Sequence, residues 1–263
     1  MSDLKSRTDY YKLTPKKPEP IQFDIFKNYS DLIQAFSTRE GGFSKGLYAT
    51  LNMGMSVGDD PLTVKKNRKV FFDHIAVPEN RLVFPQQVHS KRVIQVYEPG
   101  TISTCDALIT AEKNLFLTVQ TADCFPVFMF NPRKMCVGLV HSGWRGCAGN
   151  IVGRTIRYLY EQLESDPQHT LIGIGPGIQQ PNYQVDQEVA RYFNSAYLKK
   201  DGSERFRLNL QKVIFDQIIA EGVPRENIQC LNLCTFDRDD LFYSYRRDGQ
   251  KSGRMIGVIG MKG

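Results

Sequence analysis

Short apolar segments are the feature of this 263-residue chain that most limits its possible folds. Nine of them recur between residues 81 and 259, and each is rich in Val, Ile, Leu or Phe, as is typical of β-strands. The segments are Arg81–Phe84, Arg92–Tyr97, Leu115–Gln120, Pro126–Phe130, Met135–His141, Thr170–Ile174, Gln229–Leu233, Leu241–Tyr245 and Met255–Ile259. The chain is therefore predicted to be rich in β-sheet.

Helical patterns are fewer, and they cover residues 60–74, about 149–163 and 210–221. Proline at position 61 suits a first helical turn, and Gly222 and Pro224 end the third pattern. Because strands outnumber helices and follow in irregular order, we predict an α+β fold with mixed sheets. No linker or repeat interrupts residues 22–263, which are predicted to form a single catalytic domain after a flexible polar tail at residues 1–21.

Composition excludes several classes of protein. The longest dense apolar stretch, Cys124 to Phe130, is too short to span a membrane, and the N-terminus has no apolar signal core, so a cytoplasmic protein is expected. The net charge is +6, and residues 1–17 carry five basic and two acidic residues. The remaining excess is too diffuse to predict nucleic-acid binding, although it favours an anionic ligand such as phosphate.

The six cysteines are scattered, and a chain of this size needs no disulfide framework. Most are predicted to be reduced, inert core thiols. The chain also has only four histidines, which limits how many metal ions imidazole groups can hold.

Four segments combine polar and reactive residues where an ordinary core would be apolar. They are Thr38–Gly42, Gln86–Ser90, Thr121–Cys124 and His141–Gly146. The last of these joins a strand-like run to a helical pattern through a glycine-bearing turn, which is typical of an anion site. Arg145 in this turn suits bidentate phosphate binding, and Trp144 can stack on a planar base. A core tryptophan and a surface arginine remain an alternative interpretation.

His89, Cys124 and His141 lie 35 and 17 residues apart, so local spacing carries no metal signal. A strand-end histidine can simply satisfy a hydrogen bond, and Cys124 beside an apolar run can be an inert thiol. The neighbouring Asp123 favours a chemical role for this group of residues. A carboxylate beside an apolar run is typically present to orient an imidazole or to transfer a proton.

An ordered set of motifs runs through nearly the whole chain from about Phe36. It comprises Thr-Arg-x-Gly-Gly (38–42), Leu-Asn-x-Gly (51–54), Gly-Asp-Asp (58–60) with Asn67 and Arg68, Gln-x-His (87–89), Asp-Ala-Leu-x-Thr (106–110), Thr-Ala-Asp-Cys-x-Pro (121–126), His-x-Gly-Trp-Arg-Gly (141–146), Gly-Pro-x-Ile (175–178) and Ser-Tyr-Arg-Arg-Asp-Gly (244–249). In these motifs the chain resembles the laccase-domain family, also called the multicopper polyphenol oxidase or purine nucleoside phosphorylase family.

The resemblance implies a four-layer α/β/β/α sandwich and a zinc ion bound by His89, Cys124 and His141, with Cu²⁺ possible in vitro. Three protein ligands and an open fourth position are typical of catalytic zinc. The resemblance also implies phosphorolysis of purine nucleosides of the adenosine, inosine and methylthioadenosine class, with adenosine deamination as a second activity. The expected partners are a purine nucleoside and phosphate, with no nucleic acid or membrane, and the expected state is a monomer or homodimer.

On this interpretation Asp123 carries a proton, and Arg145 and Arg39 hold the phosphate in line. Contacts to substrate are predicted for Arg39, Asn52, Arg68, Trp144 and Arg145. Two departures from the family pattern stand out. Gln179 and Gln180 occupy a position where many members have cysteine, and Ser142 replaces a common alanine.

Three alternatives use the same residues. A copper-dependent polyphenol oxidase is one, although four histidines are too few for a multicopper site, which needs roughly ten imidazoles. A cysteine hydrolase, with Cys124 as nucleophile and His89 or His141 as base, needs no metal. A non-catalytic nucleoside-binding module is the third.

Overall fold

The computed structural model describes residues 16–263, which form fourteen strands and six α-helices. The strands are β1 (Leu32–Phe36), β2 (Leu82–Pro85), β3 (Val93–Gln95), β4 (Gly100–Ile102), β5 (Ala107–Thr110), β6 (Phe116–Thr121), β7 (Phe125–Asn131), β8 (Cys136–Ser142), β9 (Leu171–Ile174), β10 (Gln184–Asp186), β11 (Leu198–Lys200), β12 (Arg205–Leu208), β13 (Ile228–Cys230) and β14 (Met255–Met261). The helices are α1 (Pro61–His74), α2 (Trp144–Ala148), α3 (Ile151–Leu163), α4 (Gln187–Ala190), α5 (Leu210–Ala220) and α6 (Tyr245–Asp248).

Two mixed sheets form the centre of the molecule. The first has the strand order β1-β14-β6-β2-β4, and the second has the order β13-β9-β7-β8-β5-β3. Both contain parallel and antiparallel pairs. A separate three-stranded sheet, β10-β12-β11, precedes helix α5.

Three hydrophobic cores separate four layers. Helix α1 packs on the first sheet, the two sheets pack face to face, and helices α3 and α5 cover the outer face of the second sheet. Strand β7 is apolar at six of its seven positions because both of its faces are buried. Val127 and Met129 face the helices, while Phe128 and Phe130 face the other sheet. The predicted α+β fold with mixed sheets in a four-layer arrangement is confirmed.

Helix α1 begins at Pro61, as predicted, because the Asp60 side chain accepts hydrogen bonds from the N–H groups of Leu62 and Thr63. The second predicted helix forms as α3, and a short helix that was not predicted, α2, precedes it. A five-residue helix follows Gly143 directly, and the long helix begins at Ile151, where the Asn150 side chain caps it.

One predicted strand is wrong. Leu241 lies in a turn, residues 242–244 are irregular, and Tyr245 begins α6. The N–H groups of Leu241 and Phe242 both donate to the Arg238 carbonyl oxygen. The segment is apolar because Phe242 and Tyr243 are buried in the core between the sheets. Strands β1, β4, β5, β10, β11 and β12 were not predicted.

The boundary of the domain at residue 22 stays a prediction. Residues 1–15 of the predicted tail lie outside the described residues, and Ile21 already pairs with Phe36 of β1. Between residues 16 and 263, none of the helices combines the length and apolar character needed to cross a membrane.

Candidate active site

Three chain connections meet where the two central sheets come together at one edge. His89 follows β2 of the first sheet, Cys124 lies in the short turn from β6 to β7, and His141 is near the end of β8. The first two connections each cross from one sheet to the other. Antiparallel pairing sets Pro126 opposite His141, which brings the β6–β7 turn alongside the end of β8. The topology therefore brings together three residues that are distant in sequence.

The ligand atoms of His89, Cys124 and His141 all lie within 4.8 Å of one another. Two imidazoles and one thiolate are a donor set that zinc accepts, and three protein ligands leave a fourth position for chemistry. His141 is buried and His89 is exposed, so the cluster has a closed side and an open side. Among the residues that the structure describes, no other cluster of three such side chains is present.

Asp106 organises two of these three ligands. Its Oδ1 lies 2.8 Å from Nδ1 of His141 and accepts a hydrogen bond from the N–H of His89. Its Oδ2 accepts hydrogen bonds from the N–H and hydroxyl of Ser90 at 2.6 and 2.7 Å. Because Nδ1 of His141 is engaged in this way, Nε2 is the nitrogen left for a metal. Sequence reasoning missed this role, although Asp106 begins one of the family motifs.

The side chains of the cluster shift one another's pKa values. Burial raises the pKa of the Cys124 thiol, but the adjacent His141 and His89 outweigh burial and lower that pKa to about 6. Burial also lowers the pKa of His141, but the Cys124 thiolate and the Asp106 carboxylate together raise it to about 9. Burial opposes ionisation of Asp106, and hydrogen bonds from His141 and Ser90 nevertheless hold its pKa at about 2. Cys124 and His141 therefore favour a pair of thiolate and imidazolium, in which the sulfur is already in the form that binds metal and the imidazole must first release its proton.

Gly143 leaves room for the ligands. A Cβ atom at this position would lie 2.9 Å from Sγ of Cys124 and 3.0 Å from Nδ1 of His89. Its φ of −86° is open to any residue, so the requirement for glycine here is one of space. The glycine of the His-x-Gly-Trp-Arg-Gly motif is thus explained by the metal cluster.

Asp106→Asn is expected to weaken metal binding by about 10- to 100-fold, the usual effect of losing a carboxylate that orients a metal-binding imidazole. The asparagine amide would also turn an N–H donor toward groups that are themselves donors. Zinc affinity measured by competition with a chromophoric chelator tests this. Asp186→Asn is a matched control, since Asp186 is exposed and caps α4 at Val189, a task that asparagine performs equally well. Unchanged zinc affinity in Asp106→Asn would mean that Asp106 only fastens the 88–90 loop.

Asp123 lies beside the cluster and is 8% exposed. Its Oδ1 accepts a hydrogen bond from the Thr235 hydroxyl at 2.7 Å, and its Oδ2 accepts one from the Arg246 N–H at 2.6 Å. Asp123 and His89 both have positive φ, at 90° and 56°. Left-handed backbone at non-glycine residues costs free energy and is concentrated at functional sites. Asp106 contacts His141, and Asp123 does not contact either histidine through a hydrogen bond.

A cavity of about 940 Å³ opens onto the cluster. Its size is at the upper end of the range for small-molecule sites. His89, Asp123, Cys124 and His141 line it, together with four arginines. The arginines are Arg68, Arg145, Arg246 and Arg254, whereas Asp123 is the one carboxylate among the lining residues. The cavity is therefore cationic and suits an anionic ligand.

Two predicted site residues do not reach this cavity. The Arg39 guanidinium donates to the carbonyl oxygens of Ala49 and Asp239 and lies over the Tyr243 ring, so it fastens a loop. Asn52 is fully buried, and its Oδ1 accepts from the N–H groups of Gly54 and Arg254. The predicted substrate contacts of Arg39 and Asn52 stay predictions. In this structure the Arg39 side chain donates to backbone groups, and the Asn52 side chain also donates to the Asp59 carboxylate.

The other predicted residues do line the cavity. Trp144 is half-buried, with the Arg145 guanidinium 4.3 Å above its ring and the Tyr192 ring 5.9 Å away. Arg145 is exposed at the rim. Gln179 and Gln180, which stand where relatives often have cysteine, donate to backbone carbonyl oxygens and are not among the lining residues.

Comparison with known proteins gives one consistent family. Residues 33–262 match the family described as multi-copper polyphenol oxidoreductase laccase. The chain is 32% identical over 252 residues to purine nucleoside phosphorylase YlmD of Bacillus subtilis, which covers 90% of this chain and 91% of that protein. It is 35% identical over 228 residues to a purine nucleoside phosphorylase of Deinococcus radiodurans, covering 86% and 88%.

Solved structures agree. The crystal structure of the hypothetical protein YfiH of Bacillus licheniformis superposes with a TM-score of 0.89 at 29% identity, covering 93% of this chain and 97% of that one. YlmD of Geobacillus stearothermophilus gives a TM-score of 0.85 at 32% identity, covering 89% and 93%.

Proposed function

This chain belongs to the multi-copper polyphenol oxidoreductase laccase family, and from that premise we propose that it is a zinc-dependent purine nucleoside phosphorylase with adenosine deaminase activity. The observation that carries the proposal is a His₂Cys cluster with an open side, placed at a cationic cavity. The cavity is large enough for a nucleoside and a phosphate ion together. Relatives that are 32% and 35% identical to this chain bear the name purine nucleoside phosphorylase.

His89, Cys124 and His141 would hold the zinc ion, which supplies Lewis acidity for charge that develops during reaction. The surrounding residues do the positioning. Asp106 fixes the ring of His141, and the cavity arginines hold the anionic reactant against the nucleoside. Phosphorolysis passes through an oxocarbenium-like transition state, so a negative reactant fixed in line with the glycosidic bond lowers the barrier.

The direct test is incubation of the purified protein with adenosine, with and without phosphate, followed by chromatography. Adenine and ribose 1-phosphate are expected only when phosphate is present, and inosine is expected in both cases. Absence of both product sets from a zinc-loaded, folded protein would refute the proposal.

Asp123→Asn tests the proton carrier. Because Asp106 already orients His141, the orienting role predicted as an alternative for Asp123 has less support than proton transfer. The variant is expected to retain zinc and to lose about 10²- to 10⁴-fold in kcat for deamination. Thermal unfolding is measured on the same preparation, since Asp123 also accepts from Thr235 and Arg246. A lower unfolding temperature with unchanged kcat would mean that Asp123 only stabilises the packing of the C-terminal segment.

A cysteine hydrolase is the second candidate, and one observation favours it. Cys124 beside His141 has a pKa lowered to about 6, which is also how a nucleophilic thiolate is prepared. The two functions respond oppositely to metal. Removal of zinc by a chelator should abolish phosphorolysis, whereas it should leave a cysteine hydrolase active and open to alkylation at Cys124.

Copper chemistry has less support. The chain has four histidines, and His74 and His169 lie at a helix end and beside Asp166, away from the cluster. A strong thiolate-to-copper absorption band after copper loading, together with phenol oxidation, would favour the oxidase.

A further inference from the structure

The geometry points to a phosphate-binding subsite formed by Arg254 and Arg68, with the Thr121 hydroxyl as an additional donor, on the inner wall of the cavity. The subsite rests on the proposed function for its role in catalysis, but it can be detected by binding alone. It transfers to Arg254 and Arg68 the task that the sequence assigned to Arg145 and Arg39.

Arg254 is a half-buried cation without an acidic partner in residues 16–263. Its two side-chain hydrogen bonds both use Nη1, to the carbonyl oxygens of Ser252 and Gly253. Nε and Nη2 therefore have no acceptor within hydrogen-bond distance among the described residues. Burial lowers the pKa of Arg254, and the nearby charges of Cys124 and Asp123 act against that shift. Arg254 lines the same cavity as the metal cluster. A buried guanidinium of this kind gains most from an anionic ligand.

Arg68 contacts the loop at residues 52–54, which also contacts Arg254. Its Nε and Nη2 both donate to the Met53 carbonyl oxygen, at 3.0 and 2.8 Å, and its guanidinium lies 4.8 Å above the Phe84 ring. Nη1 is left for a ligand. Burial lowers the pKa of Arg68 to about 10, so it remains charged at neutral pH.

Residues 52–54 of this loop pack closely against Arg254. Asn52 accepts from the Arg254 N–H at 2.9 Å, and a Cβ atom at Gly54 would lie 2.8 Å from Cγ of Arg254. Asn67, in turn, donates to the Asn52 carbonyl oxygen at 2.9 Å. These contacts explain the motif Leu-Asn-x-Gly together with Asn67 and Arg68. They hold two guanidinium groups in the wall of the cavity.

Thr121 supplies an independent sign of a missing ligand. It is 1% exposed and lines the cavity, yet its Oγ1 has no hydrogen-bond partner among residues 16–263. An orphaned buried hydroxyl costs free energy, so such groups normally have a partner. Thr121 pairs with Met255, the residue that follows Arg254. A phosphate ion in the cavity, which Thr121 and Arg254 both line, would provide the acceptor.

Binding of a phosphate group is measured by thermal-shift titration of the zinc-loaded protein, with sodium phosphate replacing sodium chloride at constant ionic strength. Parallel titrations with AMP and adenosine separate inorganic phosphate from the phosphate of a nucleotide. The variants are Arg254→Met, Arg254→Lys and Arg145→Met, and the control is Arg133→Met, an exposed arginine in the β7–β8 turn. Zinc content is determined for each protein.

Arg254→Met is expected to raise the Kd for phosphate by about 10- to 100-fold with zinc retained, as for loss of hydrogen bonds to a charged group. Arg254→Lys should recover part of this loss, because a lysine keeps the charge but lacks the planar fork. In phosphorolysis the same variants should raise KM for phosphate more than KM for the nucleoside.

The inference is overturned if Arg254→Met binds phosphate and AMP as the wild type does, or if only Arg145→Met loses them. It is also overturned if the wild type responds to neither ligand. A wild type that binds phosphate through Arg254 but forms no ribose 1-phosphate supports the subsite and refutes the proposed phosphorylase. If Arg254→Met loses AMP binding while its phosphate binding is unchanged, the inference of an inorganic phosphate subsite is overturned and the subsite binds the phosphate of a nucleotide.

Discussion

Cys124→Ala is expected to lose stoichiometric zinc and to reduce phosphorolysis by about 10³-fold or more. Lewis-acid stabilisation by a metal is worth several kcal/mol in a transition state, and each ~1.4 kcal/mol is a factor of ten in rate. Cys124 supplies the one thiolate of the cluster. The two histidines alone are expected to bind zinc too weakly to retain it on dilution. The measurement is zinc content by elemental analysis beside kcat/KM for adenosine at saturating phosphate.

The fold is expected to survive this change, because the three hydrophobic cores are built from other residues. Cys230→Ala is a matched control, since Cys230 is a partly buried thiol of strand β13 that does not line the cavity. A Cys124→Ala protein with a full complement of zinc would show that the ligand set is wrong. One that lacks zinc but retains phosphorolysis would show that the reaction does not need the metal.

Gly143→Ala is expected to lower zinc affinity by at least about 10²-fold, more than the loss of a single orienting carboxylate. The added methyl group would lie 2.9 Å from Sγ of Cys124 and 3.0 Å from Nδ1 of His89, so two of the three ligands must move apart. Neither can retreat easily, because Cys124 joins β6 to β7 and the His89 N–H is held by Asp106. Chelator competition gives the affinity, and activity should fall with zinc occupancy.

Gly146→Ala serves as the comparison on the same short helix. Its added methyl group would meet Cγ2 of Ile151 at 3.1 Å, and its contacts with the backbone oxygens of Ser90 and His141, at 3.4 and 3.7 Å, are ordinary van der Waals distances. It meets no metal-binding atom, so a small shift of the Ile151 side chain accommodates it. Zinc affinity close to that of the wild type is expected for Gly146→Ala. Equal zinc affinities in the two variants would show that Gly143 is not needed to make room for the ligands.

The sequence predicts the layers of the fold well because periodicity and apolar runs report burial directly. A seven-residue strand such as β7 is apolar on both faces since helices cover one and a sheet covers the other. The same signal fails at residues 241–245, where Phe242 and Tyr243 are buried without being paired in a sheet. Apolar character records the surroundings of a segment and not its hydrogen bonds.

The site was only partly predictable for a related reason. His89, Cys124 and His141 could be grouped through family motifs, but their separation in sequence gives no geometry. Asp106 and Arg254 were not singled out, although each carries a charge directly before a buried strand, β5 and β14 respectively. A charge at that position is a usable signal, because the end of a buried strand fixes the direction of the side chain that follows or precedes it.

The position of Trp144 makes the site visible to spectroscopy. It is the single tryptophan of the chain, and it lies on the cavity wall between Arg145 and Tyr192. Indole emission excited at the red edge of its absorption therefore comes from this one place. Quenching or a wavelength shift on adding a nucleoside, phosphate or a paramagnetic metal ion would report occupancy of the cavity without a label. The tyrosines distributed through the rest of the molecule would supply a separate signal for unfolding.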